Sequence, residues 1–326
     1  MKTAKPAASI ACILPLLIAP PIICADPIVT RDQNPFLTGF GIPLPFPARL
    51  SDRPRSEVQL TMDWSNSGTI QLADGEELVA DVETRALNAL LLHRFENGLA
   101  VRVRVPWIYR GAGILDSFIE DWHDALGMPQ GSRRRLPRDA VLIGYARDEE
   151  ILYLRDSGGD GIGDIAFDAG MTLHESDAAA AAIWLTVKLP TGDEADLLGS
   201  GAVDAGLALA GDLRLSERWS LYGQVAYTYL GRGEFLPDLQ RDYVVSGLFG
   251  IAWRVAEPLT LKAQVDAHTA VFEATAIDFL DEATILTVGV DFEPAERWQL
   301  SFAVGEDIEI RTSPDVVFHF SARRGF

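Results

Sequence analysis

The chain has almost no cysteine and no long apolar run of the kind that crosses a membrane as a helix. Both cysteines, Cys12 and Cys24, precede Ala25, so a chain cleaved after Ala25 would have none. A disulfide scaffold, a thiol nucleophile and a Cys-ligated zinc site are therefore excluded. The absence of an apolar run of about 18 residues excludes a transmembrane helix. Because open sheet edges cannot face lipid, a membrane protein of this composition must be a closed β-barrel.

Basic residues are also scarce. The 326-residue chain carries 28 Lys and Arg against 47 Asp and Glu, which gives a formal net charge of −19. Loss of Lys2 and Lys5 with a leader would make the mature chain still more acidic. This charge disfavours nucleic acid and anionic lipid surfaces as partners, and no nucleic-acid partner is expected.

The beginning of the chain has the composition of a secretory signal. Lys2 and Lys5 give a positive start, and an apolar stretch interrupted by prolines follows over residues 10–23. We predict that residues 1–25 are a signal peptide removed after Ala25. A lipoprotein anchored through Cys24 is less favoured, because Ile23 stands where a small residue is expected.

From residue 56 to the end, apolar and polar side chains alternate along the chain. The clearest example is Leu259, Leu261, Ala263, Val265 and Ala267 against Thr260, Lys262, Gln264, Asp266 and His268. Segments of about ten residues with this period of two are typical of transmembrane barrel strands. Short turns that alternate with long loops predict an all-β, transmembrane antiparallel β-barrel of about 14 strands. The alternative is 12 strands, because the segment Glu150–Arg155 is weak.

The last residues, 315–326, form a strand-like segment that ends in Phe326. Phe318, Phe320 and Phe326 share its apolar face. An aromatic carboxyl terminus of this kind resembles the insertion signal of outer-membrane barrels in Gram-negative bacteria. We therefore expect a monomer in the outer membrane, surrounded by outer-membrane lipid and recognised through Phe326 by the barrel-assembly machinery. The rival interpretation is a soluble β-sandwich, whose strands also alternate.

Residues 26–55 are rich in proline and glycine and have no regular period. Two interpretations stay open for this segment, a periplasmic leader or a hatch folded into the barrel lumen. Its aromatic and aliphatic residues favour packing over plain disorder. We divide the mature chain into this N-terminal segment, 26–55, and a barrel, 56–326.

The polar faces of the predicted strands carry charges of both signs. Buried charges need partners or water, and rings of charge can set the selectivity of a pore; paired charges that only brace the barrel are the alternative. With two residues of the N-terminal segment added, the lumen or transport candidates are Asn34, Phe36, Glu83, Arg85, Arg102, Arg104, Lys262, Asp266, His268 and Arg323.

One amphipathic helix is predicted in the longest loop, from Leu115 to Leu126, and its named residues are Phe118, Trp122 and His123. The helix either packs on the barrel rim or folds into the lumen as a constriction. No catalytic residue, metal site or cofactor is predicted. The glycine-rich turn 156–164 lacks the ligands of a calcium loop, and a polar lumen explains His319 and Ser321 better than a hydrolase pair.

Four motifs occur together in this chain. They are Arg31-Asp32-Gln33-Asn34-Pro35-Phe36, Leu115-Asp116-Ser117-Phe118-Ile119-Glu120-Asp121-Trp122-His123, Ser157-Gly158-Gly159-Asp160-Gly161-Ile162-Gly163-Asp164-Ile165 and Leu189-Pro190-Thr191-Gly192-Asp193. In this the chain resembles a family of proteobacterial outer-membrane proteins of unknown function, over nearly the whole mature length. A looser likeness is to outer-membrane channels for long-chain fatty acids and aromatic hydrocarbons, which have 14 strands and an N-terminal hatch with an Asn-Pro element.

These observations predict a passive channel for small hydrophobic molecules, and not an enzyme. Two alternatives from other classes remain. One is an outer-membrane enzyme that modifies lipid through His123 or His319, and the other is a structural or adhesive barrel with a closed lumen.

Overall fold

The computed structural model describes residues 25–51, 54–127, 132–138, 140–308 and 311–326. The predicted signal peptide, except for Ala25, lies outside the described residues. The strands are β1 Ser56–Ala73, β2 Glu76–Arg94, β3 Leu99–Gly111, β4 Leu142–Arg147, β5 Glu150–Arg155, β6 Gly159–Ile162, β7 Ala166–Glu175, β8 Ala179–Lys188, β9 Asp204–Arg214, β10 Trp219–Tyr229, β11 Tyr243–Ala256, β12 Leu259–His268, β13 Ala283–Ala295, β14 Trp298–Asp307 and β15 Val316–Gly325. The α-helix α1 is Asp116–Leu126, and short 3₁₀ turns lie at Arg133–Arg135 and Asp278–Leu280.

Twelve of the 15 strands close an antiparallel ring. The ring is completed where β1 pairs with β15, from Glu57 opposite Gly325 to Asn66 opposite Val316. Closure leaves no strand edge with unpaired backbone groups, which is the condition for a barrel in lipid. The predicted all-β barrel is confirmed, and its strand number is 12, the alternative given above. The estimate of 14 was wrong.

The estimate of 14 counted two strands that are not part of the ring. These are β4 and β5, which form a short hairpin beside the N-terminal end of β2. Each has only six residues, whereas a strand that spans a bilayer needs about 9–11. β4 pairs with the first residues of β2 and β5 pairs with β4, and Tyr145 donates a hydrogen bond to Glu76 at 2.8 Å. The third strand outside the ring, β6, pairs with β3 beyond the end of β7.

Residues 65–79, where the alternation of the sequence is interrupted and a long loop is expected, are the continuation of β1 and β2, which turn at Asp74 and Gly75. Both residues have positive φ, 47° and 82°, as the tight turns of β-hairpins require. The alternation is lost here because Asn66, Ser67 and Gly68 put small and polar groups on both faces. A polar outward face indicates that this half of the hairpin is covered by protein and not by lipid.

The two ends of the barrel differ. Short connections lie at one end, here called the turn end, together with both ends of the ring; there the Phe326 amide donates to the Ser56 carbonyl at 2.8 Å. The long loops lie at the other, the loop end, where β1 and β2 also extend to their tight turn at Asp74 and Gly75. Trp219 and Trp253 stack at the turn end with ring centroids 5.4 Å apart, where an aromatic girdle belongs.

The two faces of the ring have opposite polarity. On β12, Leu261 and Val265 point outward and are 41% and 36% exposed, while Lys262 and Gln264 point inward and are 4% and 1% exposed. The same alternation holds in the other strands of the ring, except in the second half of β1 and the first half of β2. In the part of the chain that the structure describes, no helix is long and apolar enough to cross a membrane.

Helix α1 lies on the outside of the barrel, across the seam between β1 and β15. Leu115 and Ile119 pack against Val316, with Trp64 and Phe318 beside them. The predicted helix is therefore confirmed, but it does not fold into the lumen as a constriction, and that alternative was wrong. Its apolar stripe packs on the outward apolar face of the strands because the lumen is already filled.

Candidate functional site

Residues 25–50, here called the lumenal segment, run through the inside of the ring. The ascending limb, 25–34, leads from the turn end toward the loop end, and the descending limb, 41–50, leads back. Asn34 and Phe46 are 0% and 1% exposed. Proline and glycine keep the segment out of regular structure, so its backbone groups need side-chain partners. The inward faces of the strands supply them.

The ascending limb is held by polar side chains of β12, β15 and β1. At the turn end, the Asp26 carboxylate pairs with Arg323, and the Asp26 carbonyl accepts a hydrogen bond from Lys262 at 2.6 Å. Further in, the Ile28 amide donates to the Gln264 carboxamide oxygen at 2.9 Å, and the Gln264 amide group donates to the Ile28 carbonyl at 3.1 Å. Gln264 therefore pairs with one residue of the segment as a neighbouring strand would.

The turn of the segment at the loop end is built on Asp32 and Asn34. Asp32 lies 3.0 Å from His268 Nε2, and its other oxygen accepts the Asn34 amide at 2.8 Å. The Asn34 side chain accepts the Phe36 amide at 3.0 Å and donates to the Phe279 carbonyl at 2.6 Å. A short polar side chain that bonds its own backbone two residues on is a turn former, and here it also ties the segment to an outer loop.

An apolar cluster seals the loop end. Phe36 stacks on Phe235 with centroids 5.8 Å apart, and Phe40 meets the edge of Phe272 at 5.6 Å. Aliphatic residues of three outer loops complete the cluster around them, namely Leu197, Leu230, Leu236, Leu239, Val271, Ile277 and Leu280. Burial of this apolar surface stabilises the closed arrangement.

Arg31 folds the segment onto itself. Its guanidinium donates to the carbonyls of Phe40 at 2.9 Å, Ile42 at 2.5 Å and Thr38 at 2.6 Å. Arg31 thus joins the ascending limb to the turn and to the start of the descending limb by bonds within the segment itself.

The descending limb passes between an aromatic wall and an arginine. The Phe46 ring stacks on Trp184 with centroids 4.6 Å apart, and the Arg102 guanidinium lies 4.1 Å above the Phe46 ring. The Phe46 amide donates to Gln224 at 2.8 Å. A cation over an aromatic ring in a buried site contributes about 2 kcal/mol, so Arg102 helps to hold this limb.

Buried ion pairs flank the descending limb at both ends. Toward the loop end, Asp204 accepts the Gly41 amide at 2.7 Å and lies 2.9 Å from Lys188. At the turn end, Arg49 pairs with Asp212 at 2.9 Å. Such pairs position a chain well, although their net contribution to stability is small after the cost of desolvation.

Eight of the ten predicted lumen residues lie inside the ring. Asn34 and Phe36 belong to the lumenal segment, and Arg102, Lys262, His268 and Arg323 contact it directly. Asp266 accepts hydrogen bonds from Gln264, and Arg104 lines a cavity beside the segment. Their role in transport stays a prediction.

The placement of Glu83 and Arg85 in the lumen was wrong. On β2 the inward side chains have even numbers, so both residues point outward, as does Asp81. Glu83 accepts the amides of Ile114 and Leu115 at 2.8 and 3.1 Å, where the chain enters α1. Arg85 lies over the outward rings of Trp64 and Tyr109. The loop that carries α1 covers this outward surface of β2, so charged side chains here face protein and not lipid.

Among the residues named on the loop helix, Phe118 meets the edge of Phe318 on the outside of the barrel, 6.0 Å between centroids. The side chains of Trp122 and His123 lie outside the described residues.

Sequence reasoning missed several residues that bind the lumenal segment. The alternation of the strands predicts that Gln224 and Gln264 point inward. It does not predict which residues of the lumenal segment they bind, because that segment has no regular pattern. Asp63 is a similar case, since it accepts hydrogen bonds from Thr30 and His319, both at 2.8 Å.

The histidine and serine of the last strand are occupied by neighbours. His319 bonds to Asp63, and the Ser321 hydroxyl accepts from Gln59 at 2.8 Å. His319 and Ser321 do not bond to each other. Within the described ranges, no group of three His, Cys, Asp or Glu side chains has the arrangement of a metal site.

A closed 12-stranded ring with an apolar exterior and a filled polar lumen has the architecture of an outer-membrane β-barrel. More specifically, the chain belongs to the family described as "Protein of unknown function (DUF3187)", whose profile matches residues 21–326. The family predicted from the sequence motifs, one of outer-membrane proteins without assigned activity, is confirmed. No curated protein is detectably similar in sequence.

The structure is similar to solved structures, one of which shares its fold with a TM-score above 0.5. The COG4313 outer membrane channel from Pseudomonas putida F1 is 14% identical, with 86% of this chain and 99% of that chain covered and a TM-score of 0.57. The KdgM porin is 8% identical over 83% and 99%, with a TM-score of 0.45. The Ralstonia pickettii toluene transporter TbuX is 9% identical over 84% and 90%, with a TM-score of 0.42. At these identities the likeness concerns the fold alone.

Proposed function

We propose that this protein is a passive outer-membrane channel for small apolar solutes, closed at rest by the lumenal segment. One observation carries the proposal. Among the described residues, no backbone–backbone hydrogen bond joins residues 25–50 to the strands of the ring. The hydrogen-bond ladder of the barrel is complete without the segment, so the segment can shift while the barrel stays folded.

The bonds that hold the segment are of a kind that exchange readily. They are hydrogen bonds and ion pairs from inward side chains, such as Gln264, Lys262 and Arg323. Each contributes about 0.5–1.5 kcal/mol net, or somewhat more where a charge takes part. Water entering a widened lumen could replace them one at a time.

The preference for apolar solutes rests on the loop end. Phe36 and Phe40 of the segment pack there against Phe235 and Phe272 of the outer loops. A shift of the segment would open a mouth lined by these rings. Such a mouth binds an apolar solute better than a hydrated ion.

The location and the partners belong to the same proposal. The apolar outward side chains of the ring would face outer-membrane lipid, and Phe326 at the turn end would be read by the barrel-assembly machinery. Because closure leaves no free edge in the ring, one copy would suffice for the channel, and we propose a monomer.

Conductance in planar bilayers tests the channel. The 26–326 chain and a form that lacks 26–50 would be compared, with heat-modifiable migration in gels as the check that both are folded. Discrete channels that appear or enlarge after the deletion are the expected result. Two folded but silent proteins would contradict the proposal.

A closed structural barrel is the second candidate, and the filled lumen favours it. The same deletion separates the two candidates, since a structural barrel would lose stability without the segment and gain no conductance. A lipid-modifying enzyme is not favoured, because His319 lies in the lumen, bonded to Asp63 and away from the lipid.

A further inference from the structure

One contact between the lumenal segment and the ring is made by a histidine. His268 is the last residue of β12, and its Nε2 atom lies 3.0 Å from a carboxylate oxygen of Asp32. Its Nδ1 atom lies 3.0 Å from the backbone carbonyl oxygen of Thr269. The side chains of His268 and Asp32 are buried, 5% and 3% exposed. Both nitrogens of this imidazole therefore face oxygen atoms inside the protein.

The chemistry of these two oxygens fixes the number of protons on the pair. A backbone carbonyl accepts and never donates, so the contact with Thr269 needs a proton on Nδ1. A neutral imidazole has only one N–H group, and with that proton on Nδ1 its Nε2 atom is an acceptor. An acceptor Nε2 beside an ionised carboxylate makes no hydrogen bond. Both contacts of His268 form together only when a further proton lies between Nε2 and the Asp32 oxygen.

The charged groups that surround this histidine come from the lumenal segment and from β12. On the segment, Arg31 precedes Asp32, and its guanidinium bonds to carbonyl groups of the same segment. On β12, Asp266 lies two residues earlier on the same inward face. Opposite the histidine, β11 and β13 place Ser246 and Ala283, which carry no charge. The imidazole thus has one arginine and two carboxyl groups around it, and the group in contact with it is Asp32.

A second histidine in the lumen makes a different set of contacts. His319 of β15 bonds through Nδ1 to Asp63 of β1 at 2.8 Å, and its Nε2 atom is buried without a hydrogen-bond partner among the described residues. A neutral imidazole with its proton on Nδ1 makes this bond in full. The bond also joins two strands of the ring to each other and not to the lumenal segment. His319 is therefore a matched control for His268.

The contact between Asp32 and His268 lies at the turn of the lumenal segment. The other Asp32 oxygen accepts the Asn34 amide at 2.8 Å, and Phe36 follows in the apolar cluster at the loop end. Elsewhere the ascending limb is held by groups such as the Gln264 carboxamide, which does not ionise. A histidine, in contrast, ordinarily titrates at about pH 6.5. The bond that holds the turn is thus one whose charge changes close to neutral pH.

We infer that protonated His268 holds the turn of the lumenal segment against β12 through Asp32, and that loss of this proton as the pH rises loosens the segment. The extra proton and the docked segment stabilise each other, so docking is strongest at acid pH and weakens as the pH rises. This inference rests on the proposed function and deepens it, because it names pH as the condition that regulates opening of the channel.

Hydrogen exchange of the full 26–326 chain in detergent tests the inference at about pH 5.5 and about pH 8, on either side of the ordinary histidine pKa. Protection factors, which are corrected for the intrinsic exchange rate at each pH, should be at least tenfold lower at the higher pH for peptides that cover 26–34. Those of the ring strands should not change. The variants His268→Gln and Asp32→Asn both remove the extra proton, so their protection factors should be the same at both pH values.

The control His319→Gln should keep the pH dependence of the wild type. Because the two test variants change opposite sides of one contact, the test remains decisive if one of them does not fold. The inference is overturned if wild-type protection of 26–34 is the same at both pH values, if the pH dependence survives in either test variant, or if it disappears in the control.

The failure of this inference is distinguishable from the failure of the proposed function. Hydrogen exchange measures no transport, and conductance after the deletion of 26–50 does not depend on the contact between Asp32 and His268. A segment whose protection ignores pH, in a chain that conducts after the deletion, would overturn only the role of His268. A segment that loosens as the pH rises, in a barrel that stays silent after the deletion, would overturn only the channel.

Discussion

At the scale of single residues, inward polar side chains act as ligands for a chain segment that has no strand neighbours. Gln264 shows this most clearly, because its amide both accepts from and donates to the backbone of Ile28. Asp63 accepts one hydrogen bond from the Thr30 hydroxyl, and Gln224 accepts one from the Phe46 amide. These residues satisfy buried backbone and hydroxyl groups that would otherwise lack partners.

The variant Gln264→Leu is expected to loosen the ascending limb. It leaves the Ile28 N–H group buried without its partner, at a cost of about 1–3 kcal/mol, and the Ile28 carbonyl keeps only the hydrogen bond from the Thr30 amide at 3.0 Å. Hydrogen exchange of peptides that cover 26–34 should be faster by at least tenfold, while exchange of the ring strands should not change.

The matched control is Gln59→Leu. Gln59 also points into the lumen, but it bonds to Ser321 and not to the lumenal segment. Equal acceleration of 26–34 in both variants would contradict the role assigned to Gln264.

At the scale of elements, neighbouring strands shape the wall that receives the descending limb. Trp184 of β8 lies directly opposite Gly170 of β7 in the sheet. A Cβ atom at Gly170 would stand 2.7 Å from the Trp184 ring. The absence of a side chain on β7 therefore lets the ring lie flat along the wall, where Phe46 stacks on it.

The variant Gly170→Ala is expected to displace the Trp184 ring and to loosen the descending limb. Overpacking of this kind costs about 1–3 kcal/mol. Hydrogen exchange of peptides that cover 44–50 is the measurement, and it should become faster. Gly211→Ala is the control, since the nearest atom to its added Cβ would be 3.6 Å away. A similar effect of both changes would contradict the role assigned to Gly170.

Helix α1 provides the second prediction at this scale. Ile119 is 1% exposed and packs on the outside of the seam. The variant Ile119→Ala should destabilise the loop by about 2–5 kcal/mol, the range for such truncations in a packed core. Limited proteolysis should then cut the loop faster than it does in the variant Ser117→Ala, whose exposed side chain touches no core.

The conductance of the form that lacks 26–50 should be the same with and without Ile119→Ala. A change in single-channel conductance would show that α1 reaches the lumen after all.

At the scale of the whole molecule, the ring and the lumenal segment inside it are held by different kinds of bonds. The ring is held by continuous backbone pairing, whereas the lumenal segment is held by side chains and by one apolar cluster at the loop end. Elements with fewer cooperative bonds open at lower free energy than the structure around them. The segment should therefore be the first part of the molecule to yield.

Hydrogen exchange at increasing urea concentration checks this ordering. Peptides of 26–50 should lose protection in a transition that precedes the loss of the heat-modifiable barrel. A single transition, in which the segment and the ring lose protection together, would show that the segment is an integral part of the barrel core.

The sequence by itself determined the barrel class, the apolar exterior and the family, because alternation with a period of two and short motifs are local properties. It also identified Lys262, His268 and Arg323 as inward residues, since their strands alternate cleanly. It misplaced Glu83 and Arg85, because the loop that follows β3 folds back and covers that part of β2.

Only the tertiary structure decided which strands close the ring, where α1 packs and what the lumenal segment binds. The physical reason is distance along the chain. Ile28 and Gln264 are 236 positions apart, and their contact depends on closure of the ring, which no local pattern encodes.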